Sequence, residues 1–377
     1  MARLIAIEDL VRPFVAGRGG HAIHILQILE GLRRLGHDVL FLEYLDEPPS
    51  SQAAAHFVTL LRDSQGALLD SRTGNSYAGA SRREVASFAA RADAVISLAA
   101  HYRREPWPLV AGVRPRILIE QDPGYTHLWA AEGNPLDIFG EHDFLFTVGA
   151  NVGTPRSPLP TCGLTWRALW PPVVIDWWTG PSSITRNRFT TVGAWRDYGY
   201  LELDGETFGP KVEEFTKFIE LPRLADEVLE LTLAIDDDDP DRALLEAHGW
   251  RLEDPRLVST PARFRDYVRG SLGEFSCAKG GYVGTHSGWF SDRSACYLAA
   301  GRPVVLQATG FEDLLPVGAG VFAVADAEQA AAAIAEVRGD YERHCQAARE
   351  LAREFFDAER LMAQMLEECG VPGGRSS

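Results

Sequence analysis

The chain has few of the residues that build disulfide frameworks or cysteine-based metal sites. It contains five cysteines among 377 residues, and these are widely spaced, without a C-x-x-C pair. An odd number of scattered cysteines predicts reduced thiols rather than disulfides or a zinc site. We predict that the protein binds no metal.

Positive charge is also scarce. Lysine and arginine total 37 against 53 acidic residues, which gives a net charge of −16, and the chain has three lysines. A protein this acidic has no general attraction for nucleic acid or anionic lipid, so no nucleic-acid partner is expected. Any phosphate that it binds must be held by a local cluster of donors.

Long hydrophobic runs are absent as well. No apolar stretch approaches the roughly 18 residues that a membrane-spanning helix needs. The apolar run at the N-terminus is short and reaches Glu8 and Asp9, which predicts a first strand rather than a signal peptide. We therefore expect a cytoplasmic protein without a membrane span.

Short apolar runs alternate with helical patterns in both halves of the chain. This alternation predicts an α/β fold with parallel sheets covered by helices. The length predicts two domains, joined by a proline- and tryptophan-rich connection at 153–188. The predicted strands are Leu4–Ile7, Asp38–Glu43, Ala94–Leu98, Arg116–Ile119, Phe144–Val148, Phe189–Val192, Leu229–Ile235, Val283–Thr285, Pro303–Leu306 and Gly320–Val324.

The segment 280–293 has the strongest functional pattern. It predicts a short strand, a turn that includes Ser287 and Gly288, and a helix of about ten residues. Small residues before a helix let a ligand approach the backbone, and the free N–H groups of the first helical turn favour an anion. His286 and Arg293 carry the side chains that a diphosphate needs. A purely structural turn is the alternative interpretation.

The run Thr285–Trp289, followed by a helix, Gly301, Pro303 and an apolar strand, resembles the donor-binding signature of glycosyltransferases with the two-domain GT-B fold. The resemblance implies two Rossmann-like domains that face each other across a cleft, at 1–178 and 186–342. It implies a nucleoside-diphosphate sugar as co-substrate and no other cofactor. In this family the histidine and the helix N-terminus hold the diphosphate.

Two further segments resemble the same family. The run Thr309–Asp313 is similar to the loop that contacts the donor sugar, which implies that role for Glu312 and Asp313. Gly19, Gly20 and His21 are similar to the acceptor-side loop, where inverting members keep their catalytic base. The C-terminal helical segment at 343–370 matches the family habit of crossing back to the first domain. For His21, a partly exposed capping histidine is the alternative.

The sequence departs from the family pattern at two positions. Glutamates eight residues apart are typical of retaining members, but Gly288 and Cys296 stand at the matching positions. Cys296 also replaces an acidic residue that often binds the nucleotide ribose. The missing pair favours an inverting reaction with His21 as base, and it leaves the ribose contact unassigned.

Several other side chains are candidates for the site. Asp122 follows a predicted strand and is a candidate to orient the base, or it simply starts a turn. Arg196 and Lys279 are candidates for the diphosphate, as are Lys211 and Lys217. For any single lysine, a surface position is the alternative.

Two other functional classes remain open from the sequence. The first alternative keeps the fold but not the transfer reaction, because acidic residues are missing at two expected positions. The chain is then a sugar-nucleotide epimerase or hydrolase, or a protein that binds a ligand without catalysis. An NAD-dependent dehydrogenase is the second alternative, because Gly17, Gly19 and Ala22 precede a helix and Glu43 ends the next strand. Nine residues, including Pro13, separate the first strand from Gly17, which argues against that alternative.

Overall fold

A computed structural model of the protein describes residues 1–12, 18–61, 65–99, 107–180, 183–196 and 198–371. The chain divides into two compact units. The first unit comprises Met1–Val148, Pro160–Val174 and Ala358–Ser377, and the second comprises Gly149–Leu159 and Ile175–Asp357.

An eight-stranded sheet forms the centre of the first unit. Its strands are β1 (Arg3–Ile7), β2 (Asp38–Leu45), β3 (Gln65–Asp70), β4 (Ser76–Gly79), β5 (Ala94–Ser97), β6 (Arg116–Glu120), β7 (Phe144–Thr147) and β8 (Trp166–Ala168). They lie in the order β4-β3-β2-β1-β5-β6-β7-β8, and every neighbouring pair is parallel except β3 with β4. The helices are α1 (Gly19–Arg34), α2 (Ser51–Leu61), α3 (Arg82–Ala89), α4 (Tyr125–Glu132), α5 (Pro135–Phe139) and α14 (Ala358–Glu368).

A six-stranded sheet forms the centre of the second unit. Its strands are β9 (Arg186–Ala194), β12 (Glu230–Ala234), β13 (Arg251–Glu253), β14 (Ser271–Ser276), β15 (Val304–Gln307) and β16 (Val321–Val324), beside a small hairpin of β10 (Leu201–Leu203) and β11 (Glu206–Phe208). The six strands are parallel, in the order β13-β12-β9-β14-β15-β16. The helices are α6 (Lys211–Thr216), α7 (Leu221–Leu224), α8 (Asp241–Ala247), α9 (Pro261–Gly270), α10 (Gly280–Gly284), α11 (Asp292–Ala299), α12 (Ala327–Gly339) and α13 (Tyr341–Phe355).

Both sheets have the strand order of a doubly wound nucleotide-binding fold. Numbered in chain order, the parallel strands lie 3-2-1-4-5-6-7 in the first unit and 3-2-1-4-5-6 in the second. The order reverses between β1 and β5 in the first unit and between β9 and β14 in the second. Ligands bind such sheets at the carboxyl ends of the strands beside this switch point.

Helices α1 and α14 pack on each other in the first unit. The apolar residues of α1 recur at three and four residues and are buried, except for the partly buried Leu26. Gly36 follows the helix with φ +84. A β-carbon on Gly31 would lie 3.0 Å from Cβ of Ala358, so the small residue allows this close packing. Met362 and Met365 of α14 complete the core of this unit.

The structure corrects the prediction of a strand at Val283–Thr285. Residues Gly280–Gly284 form α10, and the strand that precedes the site is β14. A β-carbon on Gly280 would lie 2.5 Å from the Gly209 carbonyl oxygen, so these glycines serve close packing rather than a strand. Strand β14 has no apolar run because Gly273 and Glu274 interrupt it, although it is buried throughout.

The C-terminal helical segment also differs from its prediction. It consists of two helices, α13 and α14, which are separated at Phe356 and Asp357. Helix α13 lies in the second unit, and α14 lies in the first. Phe356 is fully buried and stacks on Phe290 at 4.9 Å, which fixes the end of α13 within the second unit.

Two expectations from composition concern cysteines and membrane spans. None of the five cysteines forms a disulfide, and four of them are buried. Within the described ranges, no helix combines the length and the apolar character that crossing a bilayer requires.

Candidate functional site

The switch point of the second unit is surrounded by the three lysines of the chain. Burial raises the pKa of the Cys277 thiol, just after β14, and Lys211 and Lys217 act against that rise by their charge. Lys211 lies close to Gly193 near the end of β9, since a β-carbon added to Gly193 would be 3.0 Å from the Lys211 Nζ atom. Lys279 Nζ lies 3.8 Å from the ring centroid of Tyr198. Lys217 Nζ is paired with Oε2 of Glu214 at 2.7 Å, so Lys211 and Lys279 are the lysines at this edge of the sheet that we consider for a phosphate.

Helix α11 begins at the same edge. Ser291 precedes it, and its hydroxyl accepts a hydrogen bond from the Arg293 amide at 3.2 Å. A cavity of about 10 Å³ lies beside this helix start, between residues that follow β14 and β15. Ser294 lines the cavity and is fully buried, and its hydroxyl has no partner among the described residues. A cavity of this size holds no more than a single water molecule, so the Ser294 hydroxyl lies beside the helix start in a space too small for a phosphate.

The turn before α11 holds His286 in an unusual backbone conformation. His286 has φ +49 and Gly288 has φ +75, and a histidine with positive φ is uncommon outside functional or strained positions. A β-carbon on Gly288 would lie 2.7 Å from the Asn151 nitrogen. The imidazole Nε2 of His286 lies 2.8 Å from Oδ2 of Asp313. The turn therefore presents a half-exposed imidazole beside a carboxylate.

The amides of Ser287 and Gly288, two predicted donor-binding residues, are used within the protein. The Ser287 amide donates to the Tyr282 carbonyl at 3.2 Å, and the Gly288 amide donates to the Thr309 carbonyl at 2.7 Å. The Ser287 hydroxyl also donates to Tyr282. These residues shape the turn rather than offering donors to a ligand.

The two predicted donor-sugar residues lie in the next loop and differ in their contacts. This loop turns at Gly310, which has φ +96. Glu312 accepts a hydrogen bond from the Gly310 amide at 3.0 Å and so stabilises its own turn. Asp313 instead binds His286. The structure thus brings His286, Glu312 and Asp313 together at one edge of the sheet.

The predicted diphosphate contacts of Arg293 and Arg196 are corrected by their surroundings. Arg293 is largely buried, and its guanidinium donates to Glu274, to the Val192 carbonyl at 2.7 Å and to the Ser276 hydroxyl at 2.6 Å. The guanidinium of Arg196 is exposed, but it is paired with Asp239 and Asp241. The buried Arg293 is therefore not available to a phosphate, and the charge of the exposed Arg196 is offset by two hydrogen-bonded carboxylates.

In the first unit, His21 lies on α1, which starts with the predicted acceptor-side residues Gly19 and Gly20. Its Nε2 lies 2.7 Å from the Asp9 carbonyl oxygen. Because a carbonyl only accepts hydrogen bonds, Nε2 carries the proton and Nδ1 of the neutral ring holds the lone pair. The main chain therefore orients this imidazole as a base.

Asp122 follows β6, as predicted. Among the described residues, however, the His21 imidazole is hydrogen-bonded to the Asp9 carbonyl and not to Asp122. The loop of Asp122 is held by Glu120, which is fully buried. Glu120 accepts from the Asp122 amide, from Thr126 at 2.8 Å and from Thr147 at 2.6 Å. Burial raises the pKa of Glu120 to about 7. Glu120 is thus the residue that positions the Asp122 loop.

The contacts of Glu43 argue against the dehydrogenase alternative. The Glu43 carboxylate is fully buried and accepts hydrogen bonds from the amides of Val11 and Arg12, so it is not available to a ribose. Gly17, on which this alternative also depends, lies outside the described residues. Across the described ranges, no three His, Cys, Asp or Glu side chains form a group that could hold a metal ion.

Comparisons with known proteins identify the fold. No protein-family model and no curated protein sequence matches the chain. Alr3699/HepE of Anabaena, solved in complex with UDP and glucose, is 15% identical with a TM-score of 0.60, over 98% of this chain and 100% of that chain. An α-glucosyltransferase in complex with UDP and a 13-mer DNA is 11% identical with a TM-score of 0.58, over 98% and 100%.

A third structure, trehalose-6-phosphate from E. coli bound with UDP-2-fluoro glucose, is 13% identical with a TM-score of 0.53, over 99% of this chain and 100% of that chain. The chain therefore has the GT-B fold of nucleotide-sugar glycosyltransferases. This confirms the predicted fold class.

Sequence reasoning missed Asn151, Arg156, Glu120 and Ser294. Arg156 lies in the predicted connection at 153–188, and Asn151 lies between that connection and the predicted strand Phe144–Val148. The run Gly149–Thr154 follows a strand and contains small residues and an asparagine, which are typical of a loop that approaches another backbone closely. No local sequence pattern identifies Glu120 or Ser294, because the contacts of both side chains depend on burial in the folded protein.

Proposed function

We propose that the protein transfers a sugar from a nucleoside-diphosphate sugar to an acceptor hydroxyl. One observation carries this proposal: the strained, half-exposed His286 lies beside Asp313 in the turn before α11, at the switch point of a 3-2-1-4-5-6 sheet. This is the edge at which such sheets bind nucleotides. The GT-B fold supports the same activity.

The proposed donor site lies in the second unit. His286 and the lysines at the carboxyl ends of β9 and β14 bind the diphosphate, and the start of α11 favours its negative charge. Glu312 and Asp313 lie in the loop that we assign to the donor sugar. Because fixed donors stabilise the leaving diphosphate, the reaction needs no metal.

In the proposed reaction, His21 is the general base and the reaction inverts the anomeric centre. Nδ1 of His21 accepts the proton of the acceptor hydroxyl, and the acceptor oxygen forms a bond to the anomeric carbon. The bond from that carbon to the phosphate oxygen breaks, and the nucleoside diphosphate leaves with the electron pair. The bond from Nε2 to the Asp9 carbonyl supports this role, because it keeps Nδ1 unprotonated.

UDP-glucose is the first donor to test, because the three similar structures hold UDP, glucose or a UDP-glucose analogue. One of them holds DNA. We assign a small-molecule or glycan acceptor to this protein instead, because a net charge of −16 opposes binding of a phosphate backbone.

The proposal is tested by binding and turnover of the full chain. Calorimetry with UDP, GDP and dTDP should find at least one tight ligand, and EDTA should leave its affinity unchanged. With the matching donors and a panel of acceptors, release of nucleoside diphosphate should depend on the acceptor. Equal release without acceptor indicates a hydrolase, and a changed donor sugar indicates an epimerase. Binding to none of the three nucleotides would overturn the proposal.

A further inference from the structure

We infer that Arg156 is a donor-binding residue whose guanidinium contacts the diphosphate beside His286. This inference rests on the proposed function of the same site. Arg156 lies on Gly149–Leu159, a segment that belongs to the second unit although it precedes the rest of that unit by sequence.

The main chain of this segment is attached to the His286 turn. Gly149 forms an antiparallel bridge with Trp289. The Asn151 amide donates to the Ser287 carbonyl at 3.0 Å. These bonds place Gly149–Leu159 directly against the turn that precedes α11.

Side chains of the segment add three further bonds. Asn151 is fully buried, and its Nδ2 donates to the carbonyls of His286 at 3.1 Å and Gly310 at 3.2 Å. One amide group thus ties together the loops that carry His286 and Asp313. On the other side of Arg156, the Ser157 hydroxyl donates to the Thr285 carbonyl at 2.7 Å. Arg156 is therefore carried on a segment fixed at both sides.

The guanidinium of Arg156 shares a carboxylate oxygen with His286. Its Nε lies 3.7 Å from Oδ2 of Asp313, the same atom that lies 2.8 Å from Nε2 of His286. The Arg156 side chain is 49% exposed. Within the described residues the guanidinium forms this ion pair and no hydrogen bond, so its N–H groups are available to a ligand.

The charge balance of the site favours this role. Glu312 and Asp313 place two carboxylates beside a site that must accept a diphosphate. Arg196 and Arg293 cannot offset them, because each is already paired with carboxylates. Arg156 supplies a positive charge at Asp313 itself, and its planar group matches phosphate oxygens in a way that an ammonium does not.

The test compares Arg156→Ala and Arg156→Lys with wild type. The probes are the nucleoside diphosphate that binds wild type most tightly among UDP, GDP and dTDP, and the corresponding monophosphate. Arg223→Ala is the matched control, since Arg223 is also an exposed arginine of the second unit paired with a carboxylate, Glu220 at 3.1 Å. Thermal unfolding of each variant checks that it is folded.

Arg156→Ala should raise the Kd for the diphosphate about tenfold or more, the range expected for a hydrogen bond to a charged group. The Kd for the monophosphate should change less than threefold, and Arg156→Lys should lie between wild type and Arg156→Ala. An unchanged diphosphate Kd in Arg156→Ala, or an equal loss for both nucleotides, overturns the inference while leaving the proposed function intact. Failure of wild type to bind any of the nucleotides overturns both.

Discussion

The Nε2 atom of His286 and the Oδ2 atom of Asp313 are 2.8 Å apart, although 27 residues separate them in sequence. The two side chains come from successive loops at the carboxyl edge of the second sheet. Asp313 would place an uncompensated negative charge beside a diphosphate if it had no partner. Because the Asp313 carboxylate accepts from Nε2, the protonated imidazole has two effects in the proposed site: its Nδ1 N–H donates to the diphosphate, and its charge offsets that of Asp313.

His286→Ala should weaken diphosphate binding for both reasons. Loss of one hydrogen bond to a charged group costs about 1.5–3 kcal/mol, which raises the Kd roughly tenfold to a hundredfold. Calorimetry with UDP, GDP and dTDP measures this change. The double variant His286→Ala with Asp313→Asn should recover part of the affinity, because it also removes the exposed charge.

His248→Ala is the matched control for His286. His248 pairs with Glu220 at 2.7 Å in the same unit, but away from the proposed site. Nucleotide affinity in this variant should equal that of wild type. If His286→Ala also binds all three nucleotides like wild type, the donor site lies elsewhere in the chain.

His21→Gln should abolish turnover and leave nucleotide affinity unchanged. Glutamine retains a side-chain N–H that can donate to the Asp9 carbonyl, but it has no group that can accept the acceptor proton at neutral pH. Loss of a general base lowers kcat by about 10² to 10⁴. Initial rates with a saturating donor, together with calorimetry of the same preparation, separate these effects. Full activity in His21→Gln would end the assignment of the base.

Local patterns were sufficient to predict the turn at His286 and most strands of both sheets, because strand alternation, glycine turns and helix spacing are properties of neighbouring residues. They did not predict the strands β3, β4, β8 and β13. They failed at β14, where Glu274 is tolerated only because Arg293 pairs with it from 19 residues away. The same long-range pair removed Arg293 from the predicted site. The bond between His286 and Asp313 likewise depends on tertiary structure, so both residues were predicted but their contact was not.

Arg293→Ala should destabilise the second unit rather than act only on binding. Glu274 is fully buried, and removal of its partner leaves an uncompensated charge, which costs about 3–5 kcal/mol. Urea unfolding should show this loss. Replacement of both residues by methionine should restore much of the stability, because an apolar pair of similar volume needs no compensating charge.

Nucleotide binding by the double variant Arg293→Met with Glu274→Met then tests whether Arg293 only pairs with Glu274 or also binds the diphosphate. The Kd of the folded double variant for the diphosphate should lie within about threefold of the wild-type Kd. Loss of a contact worth about 1.4 kcal/mol would instead raise the Kd tenfold. A loss of binding in a stable double variant would instead return Arg293 to the diphosphate site.

Glu120 should contribute a loss of stability as the pH rises, opposite in sign to the contribution of His127 and His142, whose pKa values burial lowers to about 3 and about 4. Burial raises the pKa of this carboxyl from 4.5 to about 7, so the folded state holds more protons than the unfolded state between these values. The stabilising contribution is complete below about pH 4.5 and is lost as the pH rises through 7. A shift of this size corresponds to about 3 kcal/mol at 1.36 kcal/mol per pKa unit.

Glu120→Gln should remove this contribution to the pH dependence. A glutamine can accept the bonds from Thr126 and the Asp122 amide with its oxygen and donate to the Thr147 hydroxyl with its nitrogen. The free energy of unfolding is measured by urea titration at pH 5.5 and 8, and the value at pH 8 minus the value at pH 5.5 should be more positive in the variant than in wild type. Glu43, whose pKa burial also raises to about 7, and His127 and His142 remain in both proteins and contribute equally to both pH dependences. Equal slopes in the two proteins would show that Glu120 is already ionised at pH 5.5.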